Sequence, residues 1–300
     1  MKNIPLSHWT RGAPMLLPRA GCAVAVLGGQ VYVAGGTYWE GGQKFWCNRA
    51  DSFDPVSNTW RAHPPVPRTA GDAAGIAAGG KFAVIGGGAD GPGAAEVWAF
   101  DGQAWQPWPA LPTPRRSCAA VLHEGKIFVL GGLAGAGTEF ATATNTVWCA
   151  RPGDAWTECA PMPAPIRFNL AVGSVAGRLL VAGGCTPEAG GVRNLDEILA
   201  YDAKSDTWSV VGRLPAACRG SSGVSDDARL LVVGGYTDQF IAGILAFDPA
   251  LGTVSPAGTL PVGLADTRFV RVGEKIIGLT GEDGIKRRFP DTLLATTSSS

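Results

Sequence analysis

Apolar positions along the chain gather in short runs closed by glycine pairs, and nothing sustains a helical period. Five such runs are VYVAGG to Gly36, FAVIGG to Gly87, IFVLGG to Gly132, LLVAGG to Gly184 and LLVVGG to Gly235; a sixth, IIGLTG, ends at Gly281 with Thr280 in place of the first glycine. Runs this short, bounded by turn-forming residues, predict strands. Each is preceded by a second apolar run across a tight link, as in CAVAVLGGQVYVAGG, and the pair predicts a hairpin. The first members of the pairs, at 35, 86, 131, 183, 234 and 280, recur every 45 to 52 residues. Between them stand Trp60, Trp105, Trp156 and Trp208, with Val254 in the fifth place. Phe53-Asp54, Tyr201-Asp202 and Phe247-Asp248 lie six to seven residues ahead of three of these landmarks. A proline-rich turn leads into an arginine at Arg19, Arg68, Arg115 and Arg167. The stretch up to the aromatic-Asp predicts a third strand in each unit, and the segment ending at Trp a fourth.

A four-stranded unit repeated at ~40–50 residues is the signature of a propeller blade. The glycine pair, the aromatic-Asp and the tryptophan at this spacing resemble the kelch repeat over essentially the whole chain. The resemblance implies an all-β, six-bladed β-propeller, with blades at roughly 14–62, 63–110, 111–162, 163–213, 214–260, and 261–300 completed by 5–13. Closure is argued from the ends: DTLLAT supplies a third strand after Gly281 with no Trp behind it, while Trp9 precedes Arg19 by the ten residues that separate Trp105 from Arg115. The N-terminal strand is therefore expected to complete the last blade and leave no open edge in a single domain.

Composition narrows the function. Gly and Pro supply 65 of 300 residues, yet 46% are hydrophobic, enough for a core. Lys and Arg balance Asp and Glu at 25 each, so no long-range field favours a nucleic-acid backbone. No run approaches the ~20 apolar residues of a membrane span. The start, MKNIPLSHWTRGAPML, carries no signal-peptide pattern, which points to the cytoplasm, or to the periplasm for a processed chain. Seven cysteines without a CxxC pair predict small buried hydrophobes such as Cys22 and Cys118. His8, His63 and His123 fall in different units, so no metal site is expected. Gly86, Gly88 and Gly91 spell GxGxxG, but no helix pattern follows, so no dinucleotide is expected. Neither metal nor cofactor is called for, and a closed ring is expected to be monomeric.

In such a blade the start of the first strand and the end of the second emerge on one rim, and this mouth is the default site. Arg19, Arg115 and Arg167 are expected near it, as blade structure or as carboxylate ligands. Fourteen residues before each pair stand Gly21, Asp72, Ser117, Asn169, Gly220 and Asp266, of which Asp72, Asn169 and Asp266 could grip hydroxyls. The clearest departure from the repeat is the last loop, TGEDGIKRRFPDTLLAT, where Glu282 follows the glycine directly and Arg288 and Asp291 come soon after. That loop is similar to the active-site loop of bacterial kelch sialic-acid mutarotases (N-acetylneuraminate epimerases). The resemblance implies a cofactor-free isomerase of an acidic monosaccharide. Glu282 would be the acid/base, Arg288 with Arg167 or Arg115 the carboxylate clamp, and Tyr38, Trp39, Phe168 and Tyr236 the cover over the ring. The alternative is a protein-interaction module gripping a peptide or protein with the same rim, through Trp39, Trp46, Phe140, Phe240 and Lys286-Arg287-Arg288. A third reading is a lyase or hydrolase of uronic-acid sugars.

Overall fold

The computed structural model describes residues 6–91, 93–135 and 140–297, and within them the chain builds six four-stranded antiparallel sheets. In the first blade these are Ala23–Leu27, Gln30–Ala34, Ala50–Asp54 and Thr59–His63, in that order from the channel outward. The next four blades repeat the pattern, opening with Ala74–Ala78, Ala119–His123, Ala171–Val175 and Ser222–Ser225. The sixth joins Arg268–Val272, Lys275–Leu279 and Thr292–Thr296 to the N-terminal strand Thr10–Gly12, with Thr10 opposite Leu294 and Gly12 opposite Thr292. This is the expected six-bladed all-β propeller closed from the N-terminus. Residue 5 and residues 298–300, at the limits expected for that blade, lie outside the described residues. The described helical content is one 3-10 turn, Phe140–Thr142, and no helix is long and apolar enough to cross a membrane.

The second strands read as unbroken apolar runs because both faces of each sheet are covered. Ala83, Ile85 and Ala99 of blade 2, for example, share one core with Ile127, Val129 and Trp148 of blade 3. The glycine pairs hold one blade to the next. The second glycine of each pair donates its N–H to a carbonyl of the following blade: Gly36 to Ala70 O (2.9 Å), Gly87 to Arg115 O (2.7 Å), Gly184 to Cys218 O (2.9 Å), Gly235 to Leu264 O (2.7 Å), and Gly281 back to Arg19 O (3.1 Å). The first glycine has positive φ, and a Cβ at Gly35 would sit 2.0 Å from that same Ala70 carbonyl oxygen. Only glycine accepts both conditions cheaply.

The tryptophans are staples between outer strands. Each indole N–H donates to a backbone carbonyl of the preceding blade: Trp60 to Ala13 O (3.0 Å), Trp105 to Pro64 O (2.8 Å), Trp156 to Pro109 O (2.9 Å), Trp208 to Ala160 O (2.8 Å). Trp9 does the same for the sixth blade, reaching Thr259 O of blade 5 (2.9 Å), while Leu6 exchanges backbone bonds with Ala257 and Thr259. The aspartates of the aromatic-Asp pairs turn the third strand into the fourth: Asp54 Oδ1 accepts the N–H groups of Val56 and Ser57, and Asp202 and Asp248 repeat this.

Three features differ from the single third strand expected in every unit. Blades 1, 4 and 6 insert small hairpins between their second and third strands: Thr37–Glu40 with Gln43–Trp46, Cys185–Glu188 with Gly191–Asn194, and Glu282–Gly284 with Arg287–Arg288. The turns Gly41-Gly42 and Gly190-Gly191 allow the first two to reverse tightly. These hairpins stand at the ends of the strands that reach the mouth.

Candidate functional site

The site is assembled from one repeated position. The residue that follows each glycine pair bridges the residue preceding the channel ring of its own blade: Thr37 with Ala20, Gly88 with Gly71, Leu133 with Arg116, Cys185 with Phe168, Tyr236 with Arg219, and Glu282 with Ala265. This backbone bridge carries six different side chains to the mouth. Between blades 5, 6 and 1 it sets Tyr236 and Glu282 on a pocket of 390 Å³, with Thr37 behind Arg288 at its edge. Asp266 and Gly220 lie on its inner side, Trp39 and Lys44 come from the blade 1 hairpin, and Lys286 and Arg288 from the blade 6 hairpin.

Arg288 is fixed from three directions. Its Nε donates to Thr37 O (2.9 Å), its Nη2 to Thr37 Oγ1 (2.8 Å), and its Nη1 to the Glu282 carboxylate, so blades 6 and 1 are joined through one guanidinium. Burial and then the Asp266 charge push the Glu282 carboxyl up to about 7, against the opposing pull of Arg288 and Lys44. Asp266 is also raised, chiefly by burial. Two carboxyls held toward their neutral forms in one cleft are equipment for proton transfer. The remaining cations pair with rings. Lys286 Nζ lies 4.8 Å from the Trp39 centroid, and the Arg219 guanidinium lies 4.7 Å from that of Tyr236 while donating to Asn194 Oδ1 (2.7 Å). Among the described residues no ion pair engages Arg219, Lys44 or Lys286.

Of the residues expected from sequence, Glu282, Arg288, Asp266, Trp39, Tyr236, Phe240 and Lys286 meet at this pocket. The remaining candidates do not line it. Arg19 and Arg167 are fully buried inside their blades, where Arg19 pairs with Asp51 (2.8 Å) and Arg167 with Glu197 (2.9 Å). Arg115 is buried over the Trp148 ring and donates to Thr113 Oγ1 (2.7 Å). None of the three lines the mouth pocket, because each is consumed in tying the blade entrance to the blade's third strand or to its own turn. Phe168 is buried against Phe140 beneath the blade 4 hairpin, and Tyr38 stacks on Phe45 within its own hairpin, so neither lines the pocket.

The ring fourteen residues before the glycine pairs has a structural cause as well. All six members have positive φ. Their backbones join in a series of five bonds around the channel: Asp72 N–H donates to Gly21 O (2.8 Å), Ser117 to Asp72 O (2.8 Å), Asn169 to Ser117 O (3.3 Å), Gly220 to Asn169 O (3.2 Å) and Asp266 to Gly220 O (2.9 Å). Gly, Asn, Asp and Ser occupy it because short polar side chains tolerate this conformation. Asp72 is held in this series and does not line the mouth pocket; Asn169 faces the channel; Asp266 faces both. Ser221, a conceivable nucleophile, is buried and bonded to Gly234 O (2.9 Å). Cys22 is a buried hydrophobe as expected, with burial pushing its thiol to about 12, and Cys118 likewise to about 11. Among the described residues no cluster of His, Cys, Asp or Glu could hold a metal ion.

Sequence reasoning missed Arg219, Lys44 and Thr37. Arg219 occupies a bridge position that is Ala or Gly in three blades and was readable; QKFW has no polar-apolar alternation, and only the Gly41-Gly42 turn before it marked a hairpin.

The kelch motif model matches residues 18–67, 114–163 and 166–215, half of the chain. Over 254 residues, 78% of its length, the chain is 26% identical to the kelch-like protein terF of Aspergillus terreus, covering 53% of that protein. It is 31% identical to mouse kelch-like protein 35 over 60% of its length and 29% of the relative's. To an F-box/kelch-repeat protein of Arabidopsis thaliana it is 30% identical over 54% of its length and 41% of the relative's. The chain thus spans about half or less of the length of these relatives. Repeat sequence, blade topology and glycine-pair bonding agree with that match, and the chain belongs to the kelch-repeat family.

Proposed function

We propose that this chain is a kelch recognition module whose partner, a peptide or protein segment, seats in the mouth pocket between blades 5, 6 and 1. The observation that carries this reading is the convergence of Trp39, Tyr236 and Phe240 with Arg219, Lys44 and Lys286, cations without ion-pair partners among the described residues. Aromatic rings and arginine are the side chains that dominate interface energetics. The kelch-like relatives favour this reading over a sugar enzyme. It is tested by capturing partners on the immobilised chain and identifying them by mass spectrometry, beside an Arg219→Ala, Tyr236→Ala double variant. Partners lost from the variant but retained by Gln103→Ala, in the exposed turn after Asp101, support the mouth; equal retention by both overturns it.

One observation favours a second reading, acid/base chemistry on an acidic sugar: Glu282, raised to about 7, shares the pocket with Asp266 and a fixed Arg288. In ring opening, the neutral Glu282 carboxyl would protonate the ring oxygen while the Asp266 carboxylate takes the anomeric hydroxyl proton. The ring C–O bond breaks as the carbonyl forms, and reversal on the other carbonyl face gives the second anomer. Exchange NMR on N-acetylneuraminate and uronic sugars tests it. Acceleration by wild type and its loss in Glu282→Gln support it; no acceleration by wild type overturns it.

A further inference from the structure

One register position of the innermost strands separates blade 6 from the rest. Twelve residues before the first member of each pair stand Ala23, Ala74, Ala119, Ala171, Ser222 and Arg268. Strand pairing confirms their equivalence, since each lies opposite the residue just before its pair: Ala34, Ile85, Leu130, Ala182, Val233 and Leu279. Five blades thus place a methyl or a hydroxymethyl where the sixth places a guanidinium. Ala74, Ala119, Ser222 and Arg268 all line the central channel, so the sixth blade alone puts a cation there from this position.

There Arg268 stands in a 310 Å³ cavity whose other walls are largely Ala, Val and Gly, with Ser117, Asn169, Ser221, Ser222 and Asp266 as polar neighbours. Its charge opposes the upward push of burial on the Asp266 carboxyl in the same cavity. Nη1 donates to Thr267 O (2.9 Å), and among the described residues no ion pair forms with it. A guanidinium in a confined cavity without a bonded carboxylate is prepared for bidentate capture of one. The channel joins the mouth pocket at Gly220 and Asp266, and Lys44, Lys286 and Arg219 at that mouth would draw an anion inward.

We propose that the channel below the mouth is a carboxylate-binding site anchored by Arg268, with the Ser117 hydroxyl and the Asn169 amide as further donors. The carboxylate belongs to a compact free acid or to an acidic side chain reaching in from the mouth. The site can exist whether or not the mouth is the docking surface proposed above, and the test keeps the two apart.

The test is an amide and arginine-Nε NMR titration of the full chain with sodium acetate, against sodium chloride at equal ionic strength. Saturable shifts at Ser117, Asn169, Asp266 and Arg268 are expected with acetate and not with chloride, weakened at least tenfold in Arg268→Ala. Alanine is native at this position in four blades, so the variant keeps its fold, and an unchanged spectrum elsewhere checks that. Galacturonate against galactose, and a blocked Gly-Glu-Gly peptide against Gly-Gln-Gly, then separate a free acid from a side chain. Arg219→Ala removes a mouth contact and part of the charge that draws anions inward; a saturable acetate response that survives in it, while partner capture is lost, separates the channel site from the docking surface. Linear shifts, equal shifts with chloride, or an acetate response unchanged in Arg268→Ala each overturn the proposal.

Discussion

Glu282 and the buried arginines illustrate how one residue type acquires opposite meanings from its surroundings. The Glu282 carboxyl titrates near 7 in the folded chain and near its ordinary 4.5 when unfolded, so the fold favours its protonated form. The resulting stability is fully present below the unfolded value and is lost as pH rises from about 4.5 to about 7. Asp266, also raised, acts in the same direction. Glu282→Gln removes the cost of ionising a buried carboxyl. It should match wild type at pH 4 and exceed its stability at pH 8 by on the order of 1–3 kcal/mol, read from urea unfolding at the two pH values. A variant less stable than wild type at pH 8 would mean that the Arg288 pair outweighs burial. By contrast Arg19 and Arg167 were visible in sequence as a recurring landmark whose role stayed open. Their carboxylate partners, Asp51 and Glu197, lie about thirty residues away, and no local pattern links them.

The repeated devices between strands carry most of the specificity of the blade, and the sequence displayed them because they recur. The glycine pair was legible as a landmark, but its function is a contact with the next blade. Gly35→Ala should destabilise by more than ~2 kcal/mol, combining a positive-φ penalty with a Cβ driven onto the Ala70 carbonyl, and thermal unfolding would measure it. Gly41→Ala, where no atom lies within 4 Å, serves as the comparison for φ alone. The tryptophan landmark likewise marked a hydrogen bond that no pattern within a blade could announce. Trp105→Phe keeps a ring against Phe82 and Phe100 while losing the bond to Pro64 O, at a cost of about 1–2 kcal/mol by chemical denaturation. Blade 5 has Val254 at that place and lacks this staple, which the parallel bridge of Leu6 to Gly258 and the Trp9 bond to Thr259 offset on its other side.

Closure is what makes six similar blades a single cooperative object. Thr10–Gly12 fills the outer place of the last sheet, Trp9 reaches the preceding blade, and Gly281 donates to Arg19, so one short segment completes the ring. Deleting residues 1–12 should expose the edge at Thr292–Thr296, lower the melting temperature by on the order of 10 °C and promote association, seen by calorimetry and light scattering. A melting temperature unchanged by the deletion would show that the N-terminal strand is dispensable. The same ring geometry gathers side chains distant in sequence at one mouth. Trp39, Lys44, Arg219, Tyr236, Asp266, Glu282 and Arg288 come from three blades, and only the rotation of the blades about the channel makes them neighbours.

Fold class, blade number, the joining of the two ends and the odd loop around Glu282 could all be read from the chain, because each is local or periodic: a strand of alternating or unbroken apolar residues, a turn-forming glycine, a landmark repeated or missing. Which polar residues face the mouth could not, because recurrence says that a residue matters to a blade without saying which way it points. Asp72 and Asp266 occupy the same place in the repeat and adopt the same backbone conformation, yet only Asp266 lines the pocket, where Trp39 and Lys44 of one hairpin meet Lys286 and Arg288 of another. Arg268 is the converse case: an arginine among alanines is plain in the sequence, but its place in the channel beside Asp266, Ser117 and Asn169 follows from the ring that brings the innermost strands of separate blades together.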